Sequence, residues 1–141
     1  MSHPTRSTSS HISLSQNGCR LLLDKAIEVA EQRGLRITVA VTDGSGVLLG
    51  FLRMDGAALV TVDVAIGKAR TAAYLGAPSQ IFEEMINAGQ TAMVTAPNLL
   101  PLQGGVPVLS AGQVCGAIGI SGSSGENDRV LAEDVAAHFN F

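Results

Sequence analysis

Between Cys19 and Ala30 apolar side chains recur at spacings of three and four: Cys19, Leu22, Leu23, Ala26, Ile27 and Ala30. Arg20, Asp24, Lys25, Glu28 and Glu31 take the other face. That rhythm predicts an amphipathic helix with one side on a core. Ser13-Leu-Ser-Gln16 fits a capping box, which places the helix start at Ser13, and Gly34 supplies its stop. The period then changes to two. Arg36-Ile-Thr-Val-Ala-Val-Thr42 is β-branched and alternates, with Ile37, Val39 and Val41 on one side. The turn cluster Asp43-Gly-Ser-Gly46 separates it from Val47-Leu-Leu-Gly-Phe-Leu-Arg53, too short a link for a parallel crossover, so the two strands form an antiparallel hairpin.

From Ala57 to Leu75 a second helix is expected, ended by Gly76 and Pro78. It is apolar nearly all round, which predicts burial on every side, between the sheet and a further layer or a neighbouring subunit. A shorter helix follows from Pro78 or Ser79 to Gly89. Pro97, Asn98 and Pro101 make residues 90–103 irregular, with room for one short edge strand. Val106–Leu109 and Gln113–Ser121, joined at Ser110-Ala-Gly112, give a second hairpin. Ser123-Ser-Gly-Glu126 then reads as the capping box of a last helix from about Glu126 to Ala137. The order α-β-β-α-α-β-β-α implies an α+β fold, an antiparallel sheet of about five strands flanked by helices.

A chain of 141 residues suits one domain. Residues 1–11 are polar and read as a disordered leader, leaving 12–141 as the single domain. No apolar signal segment or membrane-spanning run is visible, so a cytoplasmic protein is expected. Charged residues make up 15% of the chain, against roughly 25% in an average domain. The surplus apolar surface needs an outlet, and a homo-oligomer provides one. A net charge of −3 without a basic stripe argues against nucleic acid, and nothing suggests a membrane partner. Cys19 and Cys115 read as two buried thiols. His3, His11 and His138 lack metal-ligand spacing, so no metal site is expected.

Gly119-Ile-Ser-Gly122-Ser-Ser-Gly125 follows a strand and opens a helix, yet its spacing and its nearness to the last residues do not fit a dinucleotide site. Backbone N–H groups around Ser121 and Gly122 could instead hold a carboxylate, the alternative being a tight turn before a capped helix. Arg53 and Asp55 gather at a strand end and turn. Asp63 and Arg70, seven residues apart, share a helix face and suggest a structural ion pair, with Lys68 at a rim or holding an acid group. Gly104 and Gly105, just before a strand, permit close approach of a ligand or a second backbone, or serve a turn needing positive φ.

Five segments together resemble the GlcG/HbpS-like family of haem-degrading or haem-binding domains: Val39–Gly46, Arg53–Ala57, Asp63–Ala72, Gly104–Pro107 and Gly116–Gly122. The resemblance spans about residues 12–139. It implies a profilin-like α-β-α sandwich, assembly into dimers or larger even-numbered oligomers, and ligand sites near subunit contacts. It implies as ligand haem, another tetrapyrrole or a small organic acid. Neither His11 nor His138 falls in a matched segment, so no axial haem ligand is carried over, and haem stays a possible cofactor. The expected site is Lys68 or Arg53 for the ligand's acid groups, with Asp55, Gly104, Gly105, Ser121 and Gly122 around it. The alternative is a cofactor-independent isomerase, tautomerase or dehydratase acting on a small carboxylate, with Lys68 and Asp63 as catalytic groups.

Overall fold

Two hairpins meet in the middle of one sheet. The computed structural model describes residues 5–140. Its elements are α1 (Gln16–Gln32), β1 (Thr38–Asp43), β2 (Leu48–Arg53), α2 (Thr61–Leu75), α3 (Ser79–Asn87), β3 (Gly105–Ser110), β4 (Gln113–Ser121) and α4 (Gly125–Ala137). The order is α-β-β-α-α-β-β-α, and the four strands run β2-β1-β4-β3, antiparallel throughout. The edge strand considered for 90–103 does not form. Thr91–Thr95 is a 3-10 helix, and Pro97 and Pro101 follow it in irregular chain.

Period-two alternation in β1 sorts its side chains between two cores. Ile37, Val39 and Val41 join Leu22, Ala26, Ala30, Leu131 and Val135 in a layer with α1 and α4. Ala40 faces the opposite way and meets Ala65 and Ala69 of α2. Two glycines let α2 lie against the sheet. A Cβ on Gly119 would overlap the Ala65 carbonyl, and one on Gly105 would overlap the Lys68 carbonyl. The β3–β4 turn has positive φ at Ala111 (50°) and Gly112 (77°), as a two-residue hairpin of the primed type requires.

Three boundaries depart from the sequence pattern. α1 is capped by Ser15, whose side chain accepts from Gly18 N at 3.1 Å. Ser13 instead accepts from Gly44 N at 3.0 Å, tying the segment before α1 to the β1–β2 turn. α4 is capped by Ser124, accepting from Asn127 N at 3.1 Å, while Ser123 accepts from the Asn127 side-chain amide. α2 begins at Thr61 rather than Ala57. Its inner side is buried, but Asp63, Tyr74 and Leu75 are exposed, so within one chain it is not sealed all round. Away from the sheet, Leu100 lies against Gly67 and its N–H donates to Thr71 Oγ1 at 2.7 Å, so the irregular chain after the 3-10 helix covers part of α2. Of the expected leader, residues 1–4 lie outside the described residues, as do His3 and Phe141; residues 5–11 are exposed and carry no helix or strand. No described helix is long and apolar enough to cross a membrane.

Candidate functional site

Two clefts collect the chemistry. The first lies where α2 crosses the ends of β3 and β4. Lys68, on the inner face of α2, is 3% exposed. Its Nζ donates to the Ile120 carbonyl at 2.9 Å and to Asp128 Oδ2 at 3.1 Å. Asp128 Oδ1 accepts from Ser123 N at 2.9 Å, so the carboxylate ties α2, β4 and the start of α4 together. Gly104 has φ 127° and passes beside the Lys68 side chain, and Gly105 N donates to Ser79 Oγ at 2.9 Å. Both glycines therefore meet a second backbone or side chain of the same protein. Gly122, φ 153°, lies against the backbone of Arg36 and Ile37. Lys68, Asp128, Ser121 and Ser123 line a cleft of about 210 Å³, together with Glu83 and Gln103.

Lys68 is thus not at a rim. The ion pair expected between Asp63 and Arg70 does not form, because seven residues of helix separate them by about 10 Å along the axis. Asp63 is exposed on the first turn of α2 and does not line the Lys68 cleft. Asp128 escaped notice in the sequence, although a signal existed. It lies three and four positions before Leu131 and Ala132, on the stripe of α4 that faces the core.

The second cleft, of about 480 Å³, opens at the far end of β2. Ile27, Leu35, Leu52 and Met54 give it an apolar wall, and Arg36, Arg53, Glu31 and Asp55 its polar groups. Arg36 Nη1 donates to the Asp55 carbonyl at 2.9 Å, which fixes the guanidinium across the Asp55–Gly56 turn. Gly56, φ 87°, leaves room for it. The bond uses one donor of five, so most of the Arg36 fork remains for an anion. Met54 Sδ accepts from Ile37 N at 3.4 Å. The sequence pattern makes Arg36 the first residue of a strand. β1 begins two residues later, and Arg36 turns out to the cleft. The structure therefore groups Arg53 with Asp55, groups Lys68 with Gly104, Gly105 and Ser121, and leaves Asp63 with neither.

A third, mainly apolar cleft of about 320 Å³ runs between α1 and β3, with Cys115 in its lining. Burial raises the Cys115 thiol pKa, partly offset by a backbone hydrogen bond, and burial likewise raises that of Cys19 against the opposing charge of Arg20. Both thiols are unbridged. His11 bonds to Ser9 and His138 ends α4; neither lines the arginine cleft. Among the described residues no group of three or more His, Cys, Asp or Glu side chains could hold a metal ion.

Residues 14–137 match the family described as haem degrading protein HbpS-like. Protein GlcG of Escherichia coli is 42% identical over 108 residues, covering 77% of this chain and 81% of that protein. A double mutant of Streptomyces reticuli HbpS superimposes with a TM-score of 0.86 at 30% identity, covering 100% of this chain and 97% of the other. A PduOC:heme complex gives a TM-score of 0.82 at 26% identity, over 92% of this chain and 96% of that one.

Proposed function

The chain belongs to the HbpS-like family, and from that premise we propose that it binds a tetrapyrrole through its acid groups in the cleft between Arg36 and Arg53. The observation that carries this is one cleft of about 480 Å³, a volume usual for small-molecule sites, whose lining combines Arg36 and Arg53 with an apolar wall. Arginine forks suit carboxylates because they can donate two parallel hydrogen bonds. Ile27, Leu35 and Leu52 suit the face of a ring. The lining fits haem at its acid groups: Arg36 and Arg53 would hold its two propionates, while Met54 Sδ is engaged by Ile37 N within the chain. The iron would supply redox and ligand-exchange chemistry when bound. The relative solved as a heme complex supports the choice of ligand class.

Titration with haemin and with haemin dimethyl ester tests this. Haemin is expected to give a saturable Soret shift, and the ester, which lacks the acids, to bind about tenfold or more weakly, the loss expected when charged hydrogen bonds are removed. No saturable shift with haemin, or equal affinity for both, would overturn it.

A second reading rests on Lys68. Two of its three ammonium hydrogens are engaged, and its head lies in the lining of a cleft small enough for an acid of a few carbons. There Lys68 would exchange a proton with a small carboxylate held by the backbone near Ser121 and Gly122. A substrate screen against Lys68→Met decides: turnover that survives the change removes lysine from the chemistry.

We also propose that the protein self-associates. Leu48, Leu49, Phe51 and Leu52 of the edge strand β2 are all 39–45% exposed, an apolar surface unusual for a lone protomer. Two buried, unbridged thiols suit a reducing compartment such as the cytoplasm.

A further inference from the structure

The cleft at the start of α4 holds polar groups that the fold leaves without partners. Ser121 is 7% exposed, and its hydroxyl makes no hydrogen bond among the described residues. No fully enclosed side-chain N or O atom there lacks a partner, so the Ser121 hydroxyl keeps access to the cleft it lines. Alternation along β4 sets it there. Ile118 and Ile120 enter the core with α1 and α4, and Ser121 faces α2. The N–H of Gly125 opens α4 in the same lining, and the Ser124 cap satisfies Asn127 N instead of it. Gln103 Oε1 accepts from Arg129 Nε at 2.9 Å, which leaves the Gln103 amide nitrogen as a donor without a partner. That nitrogen lies 3.3 Å from where a Cβ on Gly125 would stand. A hydroxyl, a backbone N–H and an amide therefore line one cleft, a donor set that suits a carboxylate.

Charge decides what kind of carboxylate fits. Lys68 and Asp128 answer each other at 3.1 Å, and Arg129 is answered by Glu133 at 2.9 Å. Glu83 is different. Half-buried on α3, one turn beyond Ser79, it has no ion pair among the described residues. The lining thus carries one uncompensated negative charge. A plain carboxylate adds a second, whereas an ammonium on the same molecule cancels the first. We propose that this cleft binds a small α-amino acid, its carboxylate on Ser121, Gly125 and Gln103 and its ammonium on Glu83. At about 210 Å³ the cleft is smaller than the roughly 300–1,000 Å³ of drug-sized sites, and Leu102 and Val64 offer contacts to a short apolar side chain. The place of the carboxylate rests on the second reading above. The ammonium and the role of Glu83 go beyond it, and binding requires no turnover.

The test is calorimetric titration of the full chain with L-alanine, lactate and L-alaninamide. Lactate lacks the ammonium and L-alaninamide lacks the carboxylate. Each is expected to bind about tenfold or more weakly than L-alanine, the loss expected when one charged contact is removed. Ser121→Ala removes a hydroxyl that no described part of the chain uses, so the variant should keep the parent's stability and bind L-alanine several times more weakly. Glu83→Gln should weaken L-alanine about tenfold and abolish its advantage over lactate. Circular dichroism confirms that each variant folds. Absence of saturable L-alanine binding, or parental affinity in both variants, overturns the proposal. Lactate that binds the parent as tightly as L-alanine overturns it too, while the small carboxylate of the second reading stands. L-alanine that binds as expected and is recovered unconverted supports the site and removes only the proton exchange.

Discussion

Lys68 and Asp128, sixty residues apart in sequence, meet at 3.1 Å with side chains 4% and 3% exposed. The pair links the central helix to the last one and to the end of β4, through the Ile120 carbonyl and Ser123 N. A buried pair of this kind contributes little net stability while both partners stand, because desolvating two charges offsets their attraction. Its removal by halves is another matter. Asp128→Ala strands a buried ammonium and is expected to cost about 3–5 kcal/mol in urea unfolding. The double change Lys68→Met/Asp128→Leu should recover most of that loss.

Replacing Gly119 tests the close packing of α2 on the sheet. A methyl group there meets the backbone of Ala65 and Ala69, which cannot turn aside as a long side chain could. Gly119→Ala should therefore lower stability by about 1–3 kcal/mol, the usual range for overpacking, and lower the thermal midpoint. Gly34→Ala meets no neighbour and carries only the strain of φ 66°, so its cost should be the smaller of the two.

The cysteines make a prediction about pH. Burial raises both thiol pKa values above 9.0, so in the folded protein the thiols stay protonated where those of the unfolded chain begin to ionise. The unfolded state then binds fewer protons, and stability is fully present below about 9 and falls as pH rises past it. Urea midpoints measured from pH 7 to 10 should decline at the alkaline end. The decline should lessen in a Cys19→Ala/Cys115→Ala variant. A disulfide-exchange reagent should label the native thiols far more slowly than the unfolded ones.

Period and punctuation carried most of the fold. The three-and-four spacing of α1, the alternation of Ile37, Val39 and Val41, and glycines at 34, 76 and 112 each report a local geometry that nearby residues decide. The capping serines were harder to place because they come in pairs. Ser13 and Ser15 both precede α1, and Ser123 and Ser124 both precede α4, so the pattern S-x-x-Q or S-x-x-E selects the earlier one while the helix opens from the later. The candidate sites were legible only as separate fragments. Arg53 with Asp55, and Lys68 with the glycines at 104 and 105, could be marked as unusual from their neighbours. That Lys68 reaches Asp128, or that Arg36 lies over the Asp55 carbonyl, depends on strand order and helix docking, which no local period encodes. The α2 helix misled for a related reason. Its apolar positions read as a core on every side, but the fully buried side is the one with Ala65, Ala69 and Ala72, while Asp63, Tyr74 and Leu75 are exposed.

Arg36 and Arg53 are the residues on which the proposed binding site depends, and a haemin titration of the Arg36→Ala/Arg53→Ala variant tests it most directly. Affinity should fall at least about tenfold relative to the parent, as expected when charged hydrogen bonds to the ligand are lost. A Lys68→Met variant that remains folded should keep parental affinity. Undiminished haemin binding after loss of both arginines would contradict the account.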